Sequence, residues 1–188
     1  MWQLDWTKLA DILTYDPRQP MIFSSGLFLF LFLGFSLVYV LLQKHTTARL
    51  LFVSAFSYYF YYKSSGIYFF LLGIVTVSDF LLAARMDRTE TLWKRKLLVV
   101  ISLCINLGLL CYFKYTNFFY EMLCPLWNGH YEAFDIFLPV GISFFTFQSL
   151  SYTLDVYRRD LKPLDNLLDY IFYVSFFPQL VAGPIVRA

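Results

Sequence analysis

The sequence predicts an all-α, polytopic membrane protein with about five to six transmembrane or re-entrant helices. Hydrophobic residues make up 59% of the 188 residues, charged residues only 15%, and the mean hydropathy is +0.59. A soluble domain carries about 25% charged residues. The apolar residues also form long runs between short polar connections, as spanning helices require. A net charge of +2, with no basic and aromatic platform, argues against nucleic acid as a partner and favours membrane lipid.

Six apolar runs follow one another along the chain. The first is uncharged and long enough to cross about 30 Å of hydrocarbon. The second is short for a span, so whether it crosses completely is left open. A mixed connection, roughly 115–137, is expected to hold a short interfacial helix, and the sixth run begins after the stretch LKPLDN. The first five runs are Met21–Leu42, Leu50–Tyr62, Ile67–Ala84, Leu97–Phe113 and Leu138–Arg159.

The first twenty residues are interpreted as a separate interfacial segment, followed by one membrane-embedded region over 21–188. The segment begins polar and acidic, without the basic region of a signal peptide. Its apolar residues instead suit a short amphipathic helix on the membrane surface, with Trp2, Trp6, Leu9, Ile12 and Leu13 on one face.

The basic residues predict that the amino terminus lies outside. With that orientation, the inner connections hold most of the lysines and arginines, as the positive-inside rule requires. If the second run does not span, the parity changes. The inner set is Lys44, Arg49, Arg85, Arg88, Lys94, Arg95, Lys96, Arg158, Arg159 and Lys162.

Cysteine and histidine give no metal-site pattern. Cys104 and Cys111 lie seven residues apart in an apolar run, so we expect them to be small packing residues on one helix face. His45 and His130 stand alone in polar connections, and no spacing matches a metal or catalytic cluster. The sequence therefore predicts no metal site.

Asp79 is the unusual residue of the third run, because a carboxylate at mid-membrane costs roughly 2.5–3.5 kcal/mol. One interpretation is a polar cavity or proton site. The other is an ion pair with Arg85 or Arg88, which follow on the same run.

The fifth run carries a polar stripe. Gln148, Tyr152, Asp155 and Arg158 recur at helical spacing, with Ser151 between them, and so share one helix face. Such a face must meet protein or a water-filled space. It is either hydrogen-bonded packing with an Asp155–Arg158 ion pair, or one wall of a substrate path.

Proline and glycine punctuate the last two runs. We expect Pro139 in the first turn of the fifth helix, and Gly141 to permit a close backbone approach. Pro178, and then Gly183 with Pro184, should interrupt the sixth run. Gln179 and Arg187 would then project into a cavity. The alternative is a helix that ends at the interface with Arg187 reaching the surface.

Two long motifs are specific enough to identify a family. LPVGISFFTFQSLSYTLDVYRR, residues 138–159, and YVSFFPQLVAGPIVRA, residues 173–188, resemble the membrane-bound O-acyltransferases, above all their bacterial alginate O-acetylation branch. The aromatic stretches SAFSYYFYY and CYFKYTNFF agree with that resemblance. It implies a larger helical bundle around a thinned, funnel-like centre, which the broken stretch would help to form.

The resemblance also implies an activity. An acetyl group would pass from a cytoplasmic donor, the substrate, toward an extracellular polysaccharide such as alginate, with no bound cofactor and with a periplasmic acetyltransferase-type partner. The family's catalytic histidine lies in an apolar segment beyond the position of Ala188, and neither His45 nor His130 has that context. We therefore expect this chain to be the amino-terminal part of a bacterial inner-membrane enzyme, inactive alone.

Two other function classes remain open. A non-catalytic scaffold subunit of a polysaccharide-modification complex would also lack a catalytic histidine. A small transporter would suit broken helices and intramembrane charge, but the chain shows no internal repeat.

Overall fold

The computed structural model describes residues 13–17, 20–127 and 133–183, and it is built of helices with no strand in those ranges. The all-α prediction is confirmed. Short 3₁₀ turns follow α1, α2 and α5, and a π-helical turn, Cys111–Tyr115, joins α4 to α5. The α-helices are α1 Gly26–Leu41, α2 Thr46–Ser65, α3 Phe69–Asp87, α4 Leu92–Leu110, α5 Thr116–Leu123, α6 Ile142–Arg158, α7 Leu167–Ser175 and α8 Phe177–Ala182.

Three helical stretches among these residues are long and apolar enough to cross a membrane: Gly26–Lys44, Thr46–Asp87 and Leu92–Leu123. The middle stretch contains α2 and α3, which fold back on each other at Gly66, since the rings of Tyr62 and Phe69 lie 5.9 Å apart. The second apolar run therefore belongs to a helix of 20 residues, long enough to span. The protein is a multi-pass membrane protein.

The outer surface of the bundle is apolar, and its interior holds buried polar residues beside an apolar core. Phe30 on α1 is 80% exposed, whereas Asp79 on α3 is completely buried. Cys104 and Cys111 are both exposed, so within the described residues they are not the packing residues that the sequence predicts. In lipid, an apolar run does not distinguish an inward from an outward helix face.

The amino-terminal residues that the structure describes pack on the end of α2. Tyr59 donates to the Leu13 carbonyl at 3.1 Å, and the Lys63 ammonium donates to the Thr14 carbonyl. Lys63 is thus buried in the last turn of α2, where it holds the amino-terminal residues. The predicted surface helix within 1–20 falls almost entirely outside the described residues.

The basic connections gather at one end of the bundle. Consecutive helices α1 to α4 run antiparallel, so α1 and α3 end, and α2 and α4 begin, at the same end. Arg95 on α4 reaches the carbonyls of Val156 and Tyr157 at the end of α6, which places α6's last turn there too. We call this the basic end.

The start of α6 differs from the prediction. Pro139 does not lie in the first helical turn, because α6 begins at Ile142 and Gly141 caps it with φ +75°. Pro139 instead ends an extended approach, and its carbonyl accepts a hydrogen bond from Ile142 N at 3.3 Å. The left-handed backbone needed to enter the helix explains a glycine at this position.

Candidate functional site

The polar stripe of α6 is buried at one end and open at the other. Gln148 and Tyr152 are 2% and 0% exposed, whereas Asp155 is half-buried and Arg158 exposed. Gln148 Nε2 donates to the Tyr173 carbonyl of α7 at 2.6 Å, and Tyr152 OH accepts from Leu164 N at 2.9 Å. The buried half of the stripe therefore fixes α7 and the connection before it onto α6.

The open half of the stripe lies at the basic end. The Asp155 carbonyl accepts hydrogen bonds from the backbone of Asp160 and Leu161, at 3.0 and 3.3 Å. Arg159 adopts φ +65° and ends α6. The predicted pairing of Asp155 with Arg158 stays a prediction. This turn presents the Asp155 carboxylate and the Arg158 guanidinium group at the basic end.

The sixth run is broken at Phe176, between α7 and α8. Phe176 is extended, with φ −55° and ψ 111°, and Pro178 lies in the first turn of α8, where its missing N–H has no helical partner. The exposed first turn of α8 is satisfied by another helix, because Phe177 N donates to Ser57 Oγ of α2 at 3.2 Å. The interrupted backbone is therefore hydrogen-bonded to protein at Phe177, as backbone at membrane depth must be, while Phe176 and Pro178 are half-buried.

Gly141 is where the break meets α6. A Cβ atom at Gly141 would lie 2.3 Å from the carbonyl oxygen of Leu180 on α8, so the two backbones touch. The expected close approach at Gly141 is thus present, and its partner is the broken stretch. The two family-like motifs, far apart in sequence, form one packed junction.

The remaining predicted site residues are Gln179, Pro184 and Arg187, near the end of the sequence. Gln179 lies in α8, half-buried, and its carbonyl accepts from Gly183 N at 3.1 Å, where α8 ends. Pro184 and Arg187 lie outside the described residues. Projection of Gln179 and Arg187 into a cavity therefore stays a prediction.

Sequence reasoning missed a buried polar cluster centred on Asp79. Ser102 Oγ and Asn106 Nδ2 on α4 donate to the Asp79 carboxylate at 2.6 and 2.7 Å, and Ser149 Oγ on α6 donates at 2.5 Å. Tyr170 OH on α7 lies 2.7 Å from Ser149 Oγ. Since the single Ser149 proton points to Asp79, Tyr170 is the donor in that contact.

The Asp79 cluster thus joins four helices through neutral partners. The predicted ion pair is wrong, because neither Arg85 nor Arg88 is the partner of Asp79, and packed helices rather than a cavity surround its carboxylate. The proton-site interpretation stays a prediction. The available signal was Ser102 and Asn106, spaced four apart on one face of an apolar helix. It indicated that α4 has a polar partner, but not which one.

Arg95 supplies the positive charge at the end of α6. It is 4% exposed, and its Nη2 donates to the Val156 and Tyr157 carbonyls at 3.2 and 2.7 Å. Helix C-termini carry unpaired carbonyls and a partial negative charge, which a guanidinium neutralises. Arg95 is therefore a helix cap, not simply one of the topology charges counted from the sequence.

Comparison with known proteins gives several relatives. The chain is 34% identical, over 95% of its length, to a peptidoglycan O-acetyltransferase of Helicobacter pylori. It is 36% and 38% identical, over 89% of its length, to probable alginate O-acetylases of Pseudomonas aeruginosa and Azotobacter vinelandii.

The matched part is a minor share of each relative. The chain spans 39% of the length of the first relative, 33% of the second and 34% of the third. No family model and no solved structure matches the chain. The similarity nevertheless extends over about nine tenths of the chain. The chain belongs to the membrane-bound O-acyltransferase family.

Proposed function

We propose that this chain is part of a membrane O-acyltransferase that passes acetyl groups to an extracellular polysaccharide. The observation that carries the proposal is its 34–38% identity to proteins named as O-acetylases, over 89–95% of the chain. Because those relatives are about three times as long, the activity is assigned to the complete protein. Acyl transfer to a hydroxyl needs a general base, and we expect that group outside these 188 residues.

The polar stripe of α6 is proposed as one wall of the acetyl path. A path through lipid needs polar side chains held inside protein. Asp155 and Arg158 at the basic end would form its cytoplasmic mouth, where the acyl donor arrives. The buried Gln148 and Tyr152 would brace the wall against α7, and the α7–α8 break would let backbone groups line the centre.

The acceptor is proposed to be a glycan, with alginate-like exopolysaccharide as the first candidate. The specific alternative is peptidoglycan, favoured by the name of the Helicobacter pylori relative. Both present sugar hydroxyls outside the inner membrane, so the membrane machinery needed is the same.

The proposed location is the bacterial inner membrane, with the amino terminus outside. Support comes from the basic end, which would face the cytoplasm under the positive-inside rule. An acetyl group delivered to the other face needs a carrier or enzyme there, so a periplasmic acetyltransferase-type protein is the proposed partner.

The test is an acetylation assay in cells whose chromosomal copy of the complete gene is deleted and that carry the same gene on a plasmid. Ester-linked acetate is released by mild alkali and measured separately on exopolysaccharide and on peptidoglycan fragments. The gene should restore acetate to one of the two polymers. Asp155→Asn should lower that acetate several-fold at unchanged membrane abundance, while the matched change Asp160→Asn, at an exposed position beyond the helix, leaves it unchanged.

Two results would contradict the proposal. Restoration of neither polymer would remove the acetyltransferase assignment. If acetylation is restored but follows only the amount of partner protein that binds to this protein, a scaffold role is favoured. If Asp155→Asn lowers abundance and acetate equally, the stripe is structural packing and not a path.

A further inference from the structure

A groove lies between α1, α2 and the α7–α8 break. Its volume is about 570 Å³, and almost all of its lining is apolar. Aromatic rings form most of the wall, with Phe32 and Phe35 from α1 facing Phe172, Phe176 and Phe177. The polar stripe of α6, proposed above as one wall of the acetyl path, does not line it.

The groove has a basic mouth. Arg49 lines it at the basic end, half-buried, with its guanidinium carbon 5.5 Å from the centre of the Tyr39 ring. Arg49 lies in the first turn of α2, which has no acidic residue and no side-chain cap. The open N–H groups of a helix start and an arginine both attract an anion.

The length of the groove fits one membrane leaflet. Its α1 wall runs from Phe32 to Val40, about 12 Å at 1.5 Å per residue. Half of a hydrocarbon core of about 30 Å is about 15 Å. An apolar trough of leaflet depth, with one positive charge at the membrane surface, complements an acyl chain attached to an anionic headgroup.

We propose that this groove binds one anionic phospholipid, with its phosphate at Arg49 and one acyl chain along the phenylalanine rings. The chain would contact Phe176 and Pro178 at the α7–α8 break, so the lipid would support the junction at which the two halves of the sixth run meet.

The test uses the full protein in nanodiscs and a phosphatidylglycerol probe with a photoreactive diazirine on one acyl chain. Peptide mass spectrometry maps the adducts. We expect adducts on the groove helices, and unlabelled phosphatidylglycerol should compete about fivefold better than phosphatidylcholine, roughly the factor that one basic residue contributes near an anionic lipid. This competition needs no variant, so it does not depend on whether a mutant folds.

Matched variants locate the two parts of the lipid. Arg49→Gln should abolish the preference for the anionic lipid, whereas Arg85→Gln, at an exposed position at the same end, keeps it. Ser36→Trp places a ring in the groove and should remove the groove adducts, whereas Leu37→Trp, on the exposed side of α1, leaves them.

Three outcomes would overturn the proposal. Equal competition by the two lipids would show that the site ignores charge. Adducts confined to the outer faces of the helices would show a groove without bound lipid. Protection of the groove by another segment of the protein, detected as cross-links within the chain, would replace the lipid by protein.

Discussion

The Asp79 cluster and the aromatic groove solve the same packing problem with opposite chemistry. The cluster joins α3, α4 and α6 by short hydrogen bonds to the Asp79 carboxylate, and it joins α7 through the contact of Tyr170 with Ser149. The groove region joins α1, α2 and α8 by rings, with Phe177 5.2 Å from Phe56 and 5.7 Å from Phe60 between centroids. Hydrogen bonds fix both distance and angle, whereas ring contacts are satisfied by several geometries.

This difference in chemistry divides the bundle into a half held by hydrogen bonds and a half held by ring contacts. We call them the fixed half and the adaptable half. A helix that shifts in the fixed half leaves a donor or the carboxylate without a partner, at a cost of several kcal/mol in lipid. A helix that shifts in the adaptable half exchanges one ring contact for another or for lipid. The adaptable half is also the one with a groove.

The largest effect is expected from Asp79→Ala. Removing the carboxylate takes their shared acceptor from the buried donors Ser102, Asn106 and Ser149, which should lower the free energy of unfolding by about 2–4 kcal/mol. Thermal unfolding of the purified protein in detergent measures it. Asp87→Ala, at an exposed position at the end of the same helix, is the control, and equal melting of the two variants would refute a fixing role for the cluster.

Gly141→Ala tests the junction between the two regions. The new methyl group would meet the Leu180 carbonyl in a left-handed backbone conformation, so we expect a loss of about 2 kcal/mol. Gly108→Ala on α4, where nothing lies within 4 Å, should be neutral or slightly stabilising. Equal stability of the two variants would mean that α8 can withdraw from α6 without cost.

The smallest effect is expected in the adaptable half. Phe177→Leu keeps most of the buried volume and loses ring contacts, so the free energy of unfolding should fall by about 1 kcal/mol. The same melting assay applies, with Phe70→Leu on the exposed side of α3 as the control. A loss as large as that of Asp79→Ala would show that the rings are as geometrically exacting as the cluster.

The sequence predicted the class of fold because hydropathy is a local property. It also predicted that Gly141 meets another backbone and that the run containing Pro178 is interrupted. It underestimated α2, because the serines and tyrosines of 54–62 lower its hydropathy while its helix continues to Ser65. Those polar atoms face protein or the interface, which no window average can show.

The partners of Asp79 were not predictable for a different reason. The nearby arginines of its own helix were the obvious candidates by sequence distance. The actual partner Ser149 is 70 residues away, and it reaches Asp79 only because α6 packs against α3. Pairing of this kind is decided by tertiary packing, and one sequence contains no measure of it.

The buried Arg95 cap and the Asp79 cluster have a consequence for biosynthesis. α6 carries Gln148, Tyr152 and Asp155 and is not among the three stretches that are long and apolar enough to cross a membrane by themselves. Its Ser149 bonds to Asp79 on α3, and its Val156 and Tyr157 carbonyls accept from Arg95 on α4. Both α3 and α4 are synthesised before α6. The helices that bind α6 are therefore in the membrane first, and α6 leaves the translocon beside them. A defect in α3 or α4 should then appear as failed integration of α6 and degradation of the protein, before any loss of stability in the finished fold can be measured.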